Sequence, residues 1–202
     1  YGALSETADF FMDGGEHVRS SSREQVTENV SSIATKLREL DADIMYLQEV
    51  DRSSKRSYYV DELEYATRAL TDYESTFATN YKVLYVPYPL PTIGKVDCGI
   101  ATLSSYQLSD SERISLPCPF SYPIRLCNLK RCLLVDRIPV EGTDHELVLV
   151  NLHLEAYDDG EGKEAQTKQL QTLLQEETKK GNYVIAGGDF NQSFSNYDNS
   201  AY

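Results

Sequence analysis

Apolar residues recur at three- and four-residue spacing through SSSREQVTENVSSIATKLREL (residues 20–40), at Val26, Val30, Ile33, Leu37 and Leu40, and predict an amphipathic helix with Ser21 and Glu24 as a capping box. The helix runs into DADIMYLQEV, where Ile44 to Leu47 form a short unbroken apolar run of the kind found in a strand covered on both faces. A second helix is predicted over 59–70, with Val60, Leu63, Thr67 and Leu70 on one side. From 73 to 140 the helical period disappears, and Tyr, Val, Ile, Leu and Thr alternate with Pro and Gly. CGIATLSS, YQLSDSERISL, RCLLVDRIPV and ELVLVNLHL read as successive strands, the last two joined through the short polar turn EGTDH. Close connections of this kind imply antiparallel pairing. A last helix over 162–180 places Leu170, Leu173 and Leu174 on one face, with Lys179 and Lys180 in its final turn and Gly181 as its stop, and the strand YVIAG follows.

Helices flanking a run of hairpins, with strands apolar on both faces, predict an α/β (α+β) sandwich: two packed mixed sheets covered outside by helices. With no internal repeat, linker or low-complexity segment, residues 1–202 read as one domain.

Three of the strands change character at their C-terminal ends. In ELVLVNLHL, Val148, Val150, Leu152 and Leu154 fall on one face and Leu147, Leu149, Asn151 and His153 on the other. In DIMYLQEV, Met45, Leu47 and Glu49 share a face, and in YVIAGGDFN an extended backbone aligns Tyr183, Ile185, Gly187, Asp189 and Asn191. A carboxylate that ends an apolar face is costly unless other polar groups, water or a cation meet it. If the three ends lie side by side they form one polar pocket. Carboxylate and amide oxygens with an imidazole suit a hard cation such as Mg²⁺, which takes few protein ligands and shares its other positions with water and phosphate. Gly187 and Gly188 would permit close backbone approach or an unusual turn before Asp189.

Composition narrows the partners. A formal net charge of -13 disfavours generic coating of nucleic acid while leaving a metal-dependent enzyme of small phosphorylated substrates open. Cys98, Cys118, Cys127 and Cys132 show no CxxC pair and are expected mostly as buried small hydrophobes. No apolar run is long enough to span a bilayer, and cytoplasmic and exported locations both stay open.

Taken in order, LQEV at 47–50, NLHL at 151–154 and GDFN at 188–191 resemble motifs of the endonuclease/exonuclease/phosphatase family, the metal-dependent phosphoesterases that include deoxyribonuclease I, apurinic endonucleases, inositol polyphosphate 5-phosphatases and neutral sphingomyelinases. GIATLS at 99–104 looks like an internal strand of that family. The resemblance implies a four-layer α/β/β/α sandwich of two mixed β-sheets flanked by helices. It implies Glu49 as a ligand of Mg²⁺ (Mn²⁺ or Ca²⁺ as alternatives), Asp189 as the group that positions or activates the attacking water, Asn191 as a holder of the phosphate, and His153 as a donor to a phosphate oxygen. It also implies a strand ending in Asn upstream of Tyr1 and an SDH-type motif beyond Tyr202, so the chain reads as a domain trimmed at both ends and impaired in catalysis as it stands.

The expected activity of the parent protein is Mg²⁺-dependent hydrolysis of phosphate esters, as a phosphodiesterase or phosphatase acting on a small-molecule or lipid headgroup substrate. A DNA or RNA nuclease, whose activity would fall steeply with salt, and a noncatalytic binding domain that keeps the fold are the alternatives. A monomer is expected. The acidic loop AYDDGEGKEA would discourage a long polyanion if it faced the pocket, although a solvated loop is the simpler reading; Tyr81, Tyr85 and Tyr88 could stack on a base or rim a lipid headgroup site but read first as half-buried strand tyrosines, and Arg125, Lys130 and Arg131 could meet a phosphate but read first as ordinary surface. His17 and His145 read as surface residues.

Overall fold

The computed structural model describes residues 15–156, 158 and 160–193. The expected terminal motifs therefore lie outside the described residues. Ten principal elements follow in the order α1 (Arg23–Leu40), β1 (Ile44–Asp51), α2 (Glu62–Ala69), β2 (Glu74–Val86), β3 (Gly94–Ser104), β4 (Asp110–Ser115), β5 (Cys132–Pro139), β6 (Glu146–His153), α3 (Glu161–Lys179) and β7 (Tyr183–Asp189). Short 3₁₀ turns occupy Lys55–Ser57 and Ile124–Leu126.

Two sheets form, one in the order β1-β3-β2 and the other β4-β5-β6-β7. The first is antiparallel across its described strands, and the second is mixed because β6 and β7 run parallel. That single parallel step follows from the chain: α3 lies between β6 and β7, and a crossover helix returns the strand in the same direction. Leu37 of α1 and Leu63, Ala66 and Leu70 in and beside α2 pack on Met45, Ala101 and Leu103 of the first sheet. Leu170 of α3, with Leu173 and Leu174, packs on Val148, Val150 and Leu152 of the second. Ala78 and Ile100 meet Cys132 and Leu134 where the sheets face each other. The layers are thus helix, sheet, sheet, helix, as the sequence implied.

Local boundaries differ where short-range geometry overrides the periodic signal. Ser22, one residue later than expected, caps α1 by accepting from Gln25 N at 3.1 Å, because Ser22 and Gln25 form an equally good capping pair. Tyr58 and Tyr59 take left-handed backbone angles, so α2 starts at Glu62 with Asp61 as its cap rather than at 59. All four cysteines are free, with Cys98 and Cys132 buried, Cys127 half-buried and Cys118 exposed. Asp158 of the acidic loop helps to start α3, since its carboxylate accepts from Gly162 N and from Lys163 N in the first turn. His17 and His145 are exposed, as expected. No helix among the described residues is long and apolar enough to cross a membrane.

Candidate active site

The site forms where β1, β6 and β7 end. Strands β6 and β7 run in parallel register, so His153 sits beside Asp189 across one ladder step, and His153 Nε2 lies 3.5 Å from Asp189 Oδ2. The period-two reading of both strands holds: Val148, Val150, Leu152, Val184 and Ala186 turn to α3, which sends Asn151, His153, Gly187 and Asp189 to the other side.

Strand β1 reaches the site differently. Alternation alone would leave Glu49 with Met45 and Leu47 on the side of the helices, but the pairing with β3 slips between Leu47 and Val50, and Glu49 has φ 55°. This bulge turns the carboxylate out of the helix layer into a cavity it shares with His153, Arg56 and Arg131. Glu49 Oε2 stands 3.9 Å from Arg56 Nη1. The expected meeting of three strand ends occurs, though by a bulge and not by a shared extended face.

The two glycines serve the close approach that the sequence suggested. A Cβ at Gly187 would press on the ring of Tyr46, whose hydroxyl donates to Ile185 O at 3.1 Å and ties the two sheets together. Gly188 has φ 134°, and a Cβ there would collide with the carbonyl of Leu152. Asp189 then presents a carboxylate that is 49% exposed, while Asn191 N donates to its Oδ1 at 2.8 Å. Asn191 has φ 49°, and its Nδ2 donates to Leu154 O at 2.9 Å, which fixes the amide at the rim of the site.

Asn151 does not join the pocket. It is fully buried, donates to Ala101 O at 2.7 Å and accepts from Gln48 Nε2 at 2.9 Å, so it bridges the sheets beneath the site. Gln48, Gly188, Asp189 and Asn191 line an open depression on one side of the His153–Asp189 contact. On the other side a cavity of about 500 Å³ opens, with Glu49, Arg56, Arg131, His153 and Asn80 among its polar lining and Val86, Tyr88, Ile93, Ile124 and Leu129 among its apolar lining.

Behind Glu49 lies a buried charge network. Arg56 donates to both carboxylate oxygens of Asp51, at 3.0 Å from Nε to Oδ2 and 3.0 Å from Nη2 to Oδ1, and Glu62 Oε2 accepts from Asp51 N at 3.0 Å. Burial and the Asp51 carboxylate push the Glu62 carboxyl well above the usual range, so Glu62 is kept neutral beside the Asp51–Arg56 pair. On the opposite wall, burial and the Arg131 guanidinium pull His153 down to about 4 against the contrary pull of Glu49 and Asp189. The ring is therefore neutral at pH 7 and offers one N–H and one lone pair; its Nδ1 has no hydrogen-bond partner among the described residues.

Three lining residues escaped the sequence reading. Arg131 is 3% exposed and lines the cavity, so of the basic trio only Arg125 and Lys130 are surface residues. Arg56 followed the LQEV motif too closely to stand out from ordinary polar sequence. Asn80 is buried at the β2 bulge between Thr79 and Tyr81, and its Oδ1 has no hydrogen-bond partner among the described residues. Tyr81 is half-buried as expected and donates to Cys127 O at 2.8 Å, but Tyr85 and Tyr88 are exposed, Tyr88 at the edge of the cavity it helps to line.

A model of the endonuclease/exonuclease/phosphatase family matches residues 19–201. The chain belongs to this family. The solved structures similar to it include the human Nocturnin catalytic domain with bound sulfate anion (22% identity, TM-score 0.58, covering 82% of this chain and 58% of that one). ANGEL2, a 2',3'-cyclic phosphatase, is similar at 18% identity and TM-score 0.63 over 96% of this chain and 52% of its own. TDP2 from Caenorhabditis elegans is similar at 18% identity and TM-score 0.59 over 84% and 44%. These likenesses show the shared fold, and the chain spans about half the length of these three structures. No curated protein sequence matches the chain. Members of the endonuclease/exonuclease/phosphatase family are hydrolases that act on phosphate esters, and the cavity with its Glu49 and His153, together with the neighbouring Asp189, lies within the matched span.

Proposed function

We propose that the protein carrying this chain is a Mg²⁺-assisted phosphoester hydrolase, acting as a phosphodiesterase or phosphatase on a small-molecule or lipid headgroup substrate. The observation that carries this reading is the convergence of Glu49, His153 and Asp189 from three strand ends beside a cavity with two arginines in its wall.

The donor set suits a divalent cation that needs few protein ligands. Among the described residues no cluster of three or more His, Cys, Asp or Glu side chains could enclose a metal. A single carboxylate facing the cavity, that of Glu49, fits Mg²⁺, which keeps most of its water and takes its remaining oxygens from phosphate. Bound there, the ion would neutralise charge on phosphate oxygens and ease departure of the leaving oxygen. Mn²⁺ or Ca²⁺ would meet the same oxygen chemistry.

The chain's own residues supply position and charge. Asp189, held by Asn191 N, presents an acceptor to the hydrogen of a water aligned with phosphorus. His153, neutral at pH 7, donates its one N–H to a nonbridging oxygen, and Arg131 beside it adds positive potential without a proton transfer. Asn191 holds the far side of the phosphate. Water attacks phosphorus as the P–O bond to the leaving oxygen breaks; the water proton passes to bulk through the exposed Asp189 edge, and the departing oxygen takes a proton from solvent to leave as the alcohol.

The test is Mg²⁺-dependent release of p-nitrophenol from bis(p-nitrophenyl) phosphate by the whole protein, with EDTA, Glu49→Ala and Asp189→Ala as controls. Each control should lower the rate by a factor of about 100 or more. Full activity of well-folded Glu49→Ala and Asp189→Ala variants would overturn the assignment of the site.

A further inference from the structure

The mouth of the cavity is built from two segments with an unusual composition. Residues 75–96 and 113–135 contain no Asp or Glu, in a chain with 32 acidic residues among 202. The fold joins them: Tyr81 donates to Cys127 O at 2.8 Å, Lys130 N donates to Asn80 O at 2.6 Å, and both segments line the cavity.

Both segments carry uncovered apolar side chains. Leu84 and Leu90, at 90% and 88%, are the most exposed large apolar side chains among the described residues; Tyr122, Ile124 and Leu126 are exposed on the other segment, and Tyr88 and Ile124 line the cavity. Isolated exposed leucines are ordinary, but exposed apolar side chains recurring along two segments that meet at a cavity mouth mark a docking surface. Arg125 and Lys130 are exposed on the same rim and form no ion pair among the described residues. A protein of net charge -13 thus turns an apolar, cationic face outward at its site, while its acid lies elsewhere. Screening over about 8 Å lets this local face, and not the net charge, decide what approaches it.

We propose that this rim docks on an anionic phospholipid surface and presents a lipid headgroup to the cavity. Aliphatic tips favour lipid over a single-stranded nucleic acid, because leucine has no ring face for a base, whereas it inserts readily between acyl chains beside interfacial tyrosines. Arg125 and Lys130 meet the lipid phosphates, each basic residue near such a surface contributing roughly a fivefold gain in binding. The cavity mouth then faces the leaflet, and Glu49 and His153 lie along the path of an entering headgroup. The headgroup as substrate rests on the hydrolase reading above; the docking does not.

Vesicle flotation tests it with the full chain and vesicles of about three parts phosphatidylcholine to one of phosphatidylglycerol, alongside phosphatidylcholine alone. The chain should float with the anionic vesicles, and Leu84→Glu with Leu90→Glu should lower the bound fraction by about tenfold or more. Arg125→Glu should weaken binding to the anionic vesicles alone, and Leu40→Glu, on the distant end of α1, should leave binding intact. Thermal unfolding of the leucine variants should match the parent, since both side chains are already in solvent. Absence of vesicle binding, vesicle binding indifferent to Leu84 and Leu90, or a single-stranded oligonucleotide whose binding depends on the two leucines would overturn the proposal. Docking without hydrolysis would refute only the activity, and hydrolysis of bis(p-nitrophenyl) phosphate without docking would refute only the surface.

Discussion

Replacing Glu177 by Gln should cost the fold about 2 to 3 kcal/mol at pH 7, and almost nothing at pH 2. Glu177 closes the end of α3 against the second sheet with a side chain only 2% exposed. Arg137 of β5 grips it at 2.9 and 3.2 Å, Lys180 Nζ donates at 2.8 Å, and Asn182 Nδ2 donates at 2.7 Å. Arg137 also reaches Glu146 at 2.8 Å, so three elements depend on one guanidinium. The Arg137 hydrogen bonds outweigh burial and hold the Glu177 carboxyl at about 2 rather than 4.5. A displacement of that size corresponds to about 3 kcal/mol at most, and Gln retains the packing and one acceptor, so the loss falls below this ceiling. The sign is that of a depressed carboxyl: its stabilisation is complete above the unfolded value of 4.5 and is lost as pH falls toward about 2. Urea unfolding of wild type and Glu177→Gln across pH 7 to 3 is the assay. Their free-energy curves should stay parallel from pH 7 to about 5 and converge below it. A gap under 1 kcal/mol at pH 7, or one unchanged down to pH 3, would refute the account of this buried pair.

Three further outcomes follow from the same geometry. Gly188→Ala must either strain φ 134° or displace the Leu152 carbonyl, so it should lower unfolding free energy by about 1 to 3 kcal/mol and remove most hydrolysis by shifting Asp189; an unaltered melting temperature would contradict the collision. Glu62 is pushed up to about 8 by burial and Asp51, so its stabilising protonation is complete below 4.5 and is lost as pH rises through about 8. Glu62→Gln, which copies the neutral acid, should match wild type within about 1 kcal/mol at pH 4 and exceed it by a margin that widens as pH rises to 8, and parallel pH profiles in chemical unfolding would count against a neutral Glu62. Asn151→Ala leaves Gln48 and the Ala101 carbonyl without their partner between the sheets, and should cost about 2 to 3 kcal/mol in urea unfolding, most of it shared with Gln48→Ala in a double-mutant cycle; additive losses would show that the two amides act separately.

The parts of the fold that local chemistry controls were legible in the sequence. The stripe of α1 and the alternation of β6 and β7 are short-range patterns, and they placed His153 and Asp189 on one side of the sheet correctly. Glu49 was legible as a residue but not as a geometry, because a bulge reverses the facing of everything after it and leaves no periodic trace. The left-handed Tyr58 and Tyr59 erased three residues of expected helix for a similar reason: nothing in a tyrosine pair announces positive φ.

The rest of the site depends on residues distant in the chain. Arg131 looked like surface because its neighbours Arg125 and Lys130 are surface, yet the wall it occupies is made by Glu49, Asn80 and His153, which lie 82, 51 and 22 positions away in the chain. No window along the chain contains that environment. The acid-free stretches make the same point from the other side. Each was visible as composition, and each alone is an ordinary apolar run; only the pairing of Tyr81 with Cys127 and of Lys130 with Asn80 makes them one rim. Charge omitted from two distant segments has physical meaning when the fold places those segments together, because their field and their apolar area then act on the same approaching surface.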